Sequence, residues 1–151
     1  AKYHSLSDNL ILSGKLFFKS INSIDDDVRV SKRVYIPGSK LRGFESGKFG
    51  PKDGNEYVGG NFGTAVNFET TLPNVFSGYE NVDISLFLDA ATLSEVDYDS
   101  SLDSNKIRSS TGVAMNWISP IGPLSFVIAQ DLSKADTDKT ESFSFNLGTT
   151  F

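Results

Sequence analysis

Cysteine is absent from the 151 residues, and histidine, methionine and tryptophan occur once each. Without cysteine there is no disulfide, no thiolate metal site and no thiol nucleophile. A lone His4 leaves no histidine cluster for metal binding or acid–base work. The serines have no histidine arrangement that would make a hydrolase triad. The glycine-rich stretch from Gly47 to Gly60 lacks the Lys-Ser/Thr of a phosphate loop. Asp25-Asp26-Asp27 and the acidic segment after Ala91 lack EF-hand spacing, so solvated loop charge is the expected role for both. No catalytic residue, metal site or cofactor is expected. A basic excess is missing too: 14 Lys and Arg face 19 Asp and Glu, a net charge of -5, which makes no case for nucleic acid. No apolar run reaches the roughly eighteen residues of a transmembrane helix. The chain opens on a polar stretch without a leader pattern, and is expected to be an internal piece of a longer protein.

What is present is alternation. Period-two patterning recurs six times. From about Asn9 to Ile21, Leu10, Leu12, Leu16 and Phe18 share one face, and Asn9, Ser13, Lys15 and Lys19 the other. From about Asn61 to Thr71, Phe62, Thr64, Val66 and Phe68 oppose Gly63, Ala65, Asn67 and Glu69. From about Val82 to Ala90, Val82, Ile84, Leu86 and Leu88 oppose Asp83, Ser85, Phe87 and Asp89. From about Ile107 to Ile118, Ile107, Val113, Met115 and Trp117 oppose Arg108, Ser110, Gly112, Ala114 and Asn116. Leu124, Phe126 and Ile128 alternate with Ser125, Val127 and Ala129 in the fifth run. Phe143, Phe145, Leu147 and Phe151 alternate with Ser142, Ser144, Asn146 and Gly148 in the sixth. β-Branched and aromatic residues fill these runs and glycine breaks any helical stripe, so strands are expected. Each run is about ten residues, the length of a tilted strand crossing a bilayer. Short turns such as Ser119-Pro120-Ile121-Gly122-Pro123 alternate with long polar connections, the longest from Ile21 to Gly60.

Alternation alone does not say whether the apolar face meets lipid or a protein core. Two features favour lipid. The last residue, Phe151, is an aromatic in strand phase. Trp117 ends an apolar face beside a turn, where a residue of an interfacial girdle belongs. A cysteine-free chain also suits the oxidising route to an outer membrane.

Several short motifs, in order, resemble the BamA-type outer-membrane assembly family, whose relatives include the mitochondrial sorting and assembly barrel and the two-partner secretion transporters. Leu41-Arg42-Gly43-Phe44 resembles the family's V-R-G-F/Y signature, with Leu for Val. Val58-Gly59-Gly60-Asn61 resembles the start of its next strand. Trp117 to Leu124 resembles the turn before the penultimate strand, and Ala129-Gln130 the end of that strand. Phe143 to Phe151 resembles the closing strand. The resemblance covers nearly the whole chain.

The resemblance implies an all-β fold: the C-terminal six or so strands of a sixteen-stranded antiparallel transmembrane β-barrel, here residues 1–151, with a long inward-folding loop over about 22–60. It implies a Gram-negative outer membrane, a bilayer around the strands, unfolded outer-membrane clients, and accessory assembly lipoproteins. It implies that Leu41, Arg42, Gly43 and Phe44 form a luminal latch, with Glu69 and Asp89 as acidic partners on the wall; the alternation separately puts both acids on the polar face. A guanidinium fork suits such carboxylates better than an ammonium. Phe143, Phe145, Leu147, Gly148 and Phe151 become a C-terminal signal strand, whose edge can template another strand. The expected activity is non-enzymatic insertion of other barrels. Alternatives are a secretion or autotransporter-assembly barrel that exports a polypeptide, a plain porin, or a soluble β-sandwich.

Overall fold

In a computed structural model of the chain, the apolar residues of the alternating runs line one face of a single antiparallel sheet. The structure describes residues 2–7, 10–24, 26–73, 75, 76, 78, 79, 81–103 and 106–148, with residues 5–7 by backbone alone. Phe151 and Asn9 lie outside these. The strands are β1 (Lys2–Ser7), β2 (Leu10–Ser20), β3 (Lys52–Asp53), β4 (Glu56–Tyr57), β5 (Phe62–Pro73), β6 (Val82–Ser94), β7 (Arg108–Ser119), β8 (Gly122–Ser133) and β9 (Phe143–Leu147). The main sheet has the order β1-β2-β5-β6-β7-β8-β9, and β3-β4 is a separate small hairpin.

Two elements add to the expected six strands. β1 pairs with β2 through Tyr3↔Ser13 and His4↔Leu12, although Lys-Tyr-His carries no apolar alternation of its own. The β3-β4 hairpin lies within the long loop. Other boundaries move by a few residues: β6 runs on to Ser94 because its later residues keep pairing with β5, through Gly63↔Leu93 and Phe62↔Ser94. β9 starts two residues after its alternating run, for a reason that matters below, and residues 149–151 of that run lie outside the described residues.

Which face is covered decides the solvent question. On the polar face, Asn67, Ser85, Asp89, Arg108, Ser110 and Ser125 are buried, along with the small or apolar Ala65, Phe87, Ala114 and Val127. On the apolar face, Leu16 is 72% exposed, Ile128 65% and Phe68 59%, and Leu86, Leu88, Phe143, Phe145 and Leu147 are all about half exposed. A soluble sandwich would bury the second set and wet the first. This sheet does the reverse, as a lipid-facing barrel wall must. Twelve residues at about 3.3 Å each, tilted by about 45°, span close to 28 Å, which matches the hydrocarbon thickness. Trp117 is half-buried two residues before the end of β7, level with Val82 and Leu124.

Phe68 lies at the middle of β5. Phe68→Arg is expected to destabilise the full-length protein in lipid vesicles by about 2–4 kcal/mol, the penalty for a charge at mid-bilayer. Unfolding by denaturant in vesicles measures it, and wild-type stability would mean that this face does not meet lipid.

All the long connections leave one rim. Residues 21–61 join β2 to β5, 95–107 join β6 to β7, and 134–142 join β8 to β9. The first folds back over the polar face. Val34, Ile36, Leu41, Phe44 and Phe49 from this loop form a buried cluster with Ala65, Ala91 and Leu93 of the wall, flanked by Phe17 and Ile21. Full burial of such side chains stabilises by about 1.5–3 kcal/mol each, so the loop has an apolar seat as well as polar ties.

Candidate functional site

The loop places Arg42 against the inner wall through the residues on either side of it. Leu41 is fully buried and Phe44 nearly so; Phe44 packs edge-on against Phe49 with ring centroids 5.7 Å apart. Gly43 has φ of +87°, and a Cβ there would stand 3.0 Å from the Cβ of Ala129. Only glycine makes this turn so close to the wall. Lys40 is held through its carbonyl, which accepts from the Asn67 side-chain amide at 2.8 Å.

Register explains the wall side. Glu69 pairs with Phe87, and Asp89 lies two residues along β6, so all three side chains share the inner face. Arg42 Nε and Nη2 donate to the two oxygens of Asp89, each at 2.8 Å, and Nη1 donates to Glu69 at 2.5 Å. The Arg42 backbone N–H adds a bond to Asp89 at 3.1 Å, and the Ser110 hydroxyl donates to the Arg42 carbonyl. Cζ lies 3.7 Å from the centroid of the Phe87 ring. The guanidinium is thus clamped by two carboxylates over an aromatic face, using both its fork and its plane. Burial works against its charge, but the bonds and charges of Asp89, then Glu69, outweigh this and raise its pKa above the ordinary value.

The structure therefore brings Leu41, Arg42, Gly43, Phe44, Glu69 and Asp89 together at one place. It puts Phe143, Phe145 and Leu147 elsewhere, on the outer face of edge strand β9. Gly148 follows that strand with φ of +71°, its N–H bonded to the Pro123 carbonyl at 2.8 Å.

Two further arginine ties were not foreseen. Arg33 donates to Asp97 and to the Val28 carbonyl, and lies 4.9 Å from the Tyr98 ring centroid. Arg108 Nε donates to Asp138 at 2.7 Å, with both side chains wholly buried. Asp138 also accepts from the N–H groups of Gly50, at 3.1 Å, and Ala135, at 2.7 Å. The inward phase of Arg108 was readable from the alternation; its partner, on another loop, was not. The acidic segment after Ala91, expected to be solvated, supplies Asp97 as a loop anchor.

Burial of Asp97 works against its ionisation, but the bonds from Val28, Asn61 and Arg33 win, and its pKa falls to about 2 from 3.8. A depressed carboxylate contributes stability that is present above its unfolded value and lost as pH falls through the folded one. Hydrogen exchange of residues 28–33, corrected for intrinsic rates, is expected to be flat from neutral pH to about pH 4 and to accelerate towards about pH 2. In Asp97→Asn the segment should exchange fast throughout; a step near neutral pH in the wild type would contradict this assignment.

Residues 1–151 match the Omp85 superfamily domain. The chain is 34% identical to the outer membrane protein assembly factor BamA of Neisseria meningitidis serogroup B, over 74% of this chain and 17% of that protein. It is 30% identical to the same-named protein of Nitratidesulfovibrio vulgaris, over 99% of this chain and 19% of that one. The crystal structure of BamA from Haemophilus ducreyi lacking POTRA domains 1–3 superimposes with a TM-score of 0.85 at 29% identity, covering 95% of this chain and 32% of that one. The chain thus spans about a fifth of the length of the curated relatives it matches.

Proposed function

The chain belongs to the Omp85 superfamily, and on that premise we propose that it forms the latch-bearing wall of a Gram-negative outer-membrane assembly factor that inserts other β-barrels. The observation that carries this reading is the Arg42 clamp: a loop folded onto the inner face of a lipid-facing sheet, its guanidinium shared by Asp89 and Glu69.

The mechanism needs no covalent step. β9 is one of the two edges of the seven-stranded sheet; in a closed barrel it would meet strands outside this chain, and when that seam parts its N–H and C=O groups would template an incoming strand. The short apolar band of β9 would thin the surrounding bilayer and ease entry of a client strand. The latch holds the wall and loop in one arrangement while this occurs. Unfolded outer-membrane proteins are the proposed clients, and accessory lipoproteins the proposed helpers.

Depleting the full-length protein in its host and quantifying all other outer-membrane barrels tests the proposal. A broad loss of barrels with periplasmic accumulation is expected. Loss of one secreted substrate, with the other barrels unchanged, would overturn it in favour of an export barrel.

A further inference from the structure

β9 pairs with β8 over five residues only, from Leu124↔Leu147 to Ile128↔Phe143, although β8 continues to Ser133 against β7. The chain ahead of β9 has a different partner. Glu141 N–H donates to the Gly43 carbonyl and Glu45 N–H to the Lys139 carbonyl, both at 3.0 Å, around an antiparallel bridge between Phe44 and Thr140. Lys139 N–H donates to the Lys48 carbonyl at 2.8 Å. The chain rejoins β8 only where Ala129 N–H meets the Ser142 carbonyl, at 2.9 Å. Just upstream, Asp138 is fixed by Arg108 and by the Gly50 N–H.

We infer that residues 43–48 of the long loop serve as the strand partner of residues 139–141, so that the Arg42 clamp and edge strand β9 form one mechanical unit. The path is short. Asp89 and Glu69 hold Arg42; the next residue, Gly43, and then Glu45 hold Glu141 and Lys139; β9 begins two residues later. Lys139 and Glu141 are exposed, so these loop bonds, rather than burial, hold the segment in strand geometry. If the clamp releases and the loop leaves, residues 139–141 lose these bonds, and β9 is held by its five pairs with β8. Segments with few backbone bonds open locally at low cost. Clamp state would then set the order of the edge where client strands are proposed to pair. That consequence rests on the assembly reading; the coupling itself does not.

Hydrogen exchange of the full-length protein in lipid, without clients, tests the coupling. Arg42→Ala is expected to speed exchange of residues 139–147 by about tenfold or more, with β7 and the paired part of β8 unchanged. Faster exchange of residues 37–48 alone, with 139–147 at the wild-type rate, would overturn it. Should Arg42→Ala loosen the whole sheet, the Glu45→Cys, Lys139→Cys double variant replaces it, in a full-length background with any other cysteine replaced; residues 1–151 contain none. Closing that disulfide is expected to slow exchange at residues 143–147 severalfold relative to the reduced form, and equal rates overturn the coupling. Since no client is present, these results stand apart from the outcome of depletion.

Discussion

Arg42→Ala is expected to destabilise the seated loop by about 3–5 kcal/mol, the usual penalty for removing one partner of a buried ion pair. Asp89 is wholly buried and would keep the backbone N–H of residue 42, at 3.1 Å, against its charge but lose the guanidinium. Glu69 would lose its bond as well. The strands should survive, because β5 and β6 pair over twelve positions independently of the loop. Arg42→Lys should fall between: an ammonium reaches one carboxylate but neither forks across Asp89 nor lies flat on Phe87. The Arg42→Ala, Asp89→Asn double variant should lose less than the two single losses added, because the stranded charge is gone. Exchange or proteolysis of residues 37–48 measures the loop, and barrel-assembly activity of the full-length protein measures the consequence. An Arg42→Ala protein with a wild-type loop and wild-type activity would remove the clamp from the mechanism.

How much of this was readable depends on whether position follows from local phase or from the path of a loop. Glu69 and Asp89 were placed on the inner face by alternation alone, because a strand's side-chain period is two and a one-residue slip would turn Phe68 and Leu88 inward. The same phase put Gly112 and Arg108 inside. Alternation was silent on β1, where Lys2, Tyr3 and His4 offer no apolar stripe and only pairing with β2 makes a strand. It was silent on the Arg33–Asp97 tie, which spans 64 positions, and on Arg108–Asp138, which spans 30. Several aspartates lie in the loops, and nothing in their spacing selects Asp97 and Asp138. The shortness of β9 was hidden for a related reason. Its run of alternation begins at about Glu141, but tertiary structure gives Glu141 to the long loop. Arg42 itself was found through resemblance of a four-residue motif, because a loop arginine carries no periodic signal.

Gly112→Ala is expected to disable the site from the neighbouring strand of the wall. A Cβ at this position would lie 2.1 Å from the Ile128 carbonyl oxygen, 2.7 Å from the Phe87 ring and 2.8 Å from the Ala129 Cα. Flexible side chains yield to such contacts, but two of these three atoms are backbone of β8, paired directly with β7 through Gly112↔Ala129 and Val113↔Ile128. Relief requires either separating β7 from β8 or pushing Phe87 off the wall. The first weakens the sheet beside the edge strand. The second lifts the aromatic face on which the Arg42 guanidinium lies, at 3.7 Å, and disturbs the neighbouring Asp89. Overpacking of this kind costs about 1–3 kcal/mol, and more where backbone cannot move, so a loss of about 3 kcal/mol or above is expected by denaturant unfolding in lipid. Shrinking the ring by Phe87→Leu in the same chain should recover only a small part, since the carbonyl contact remains. Full recovery would show that the ring alone limits this position, and that the β7–β8 backbone contact is softer than its geometry implies.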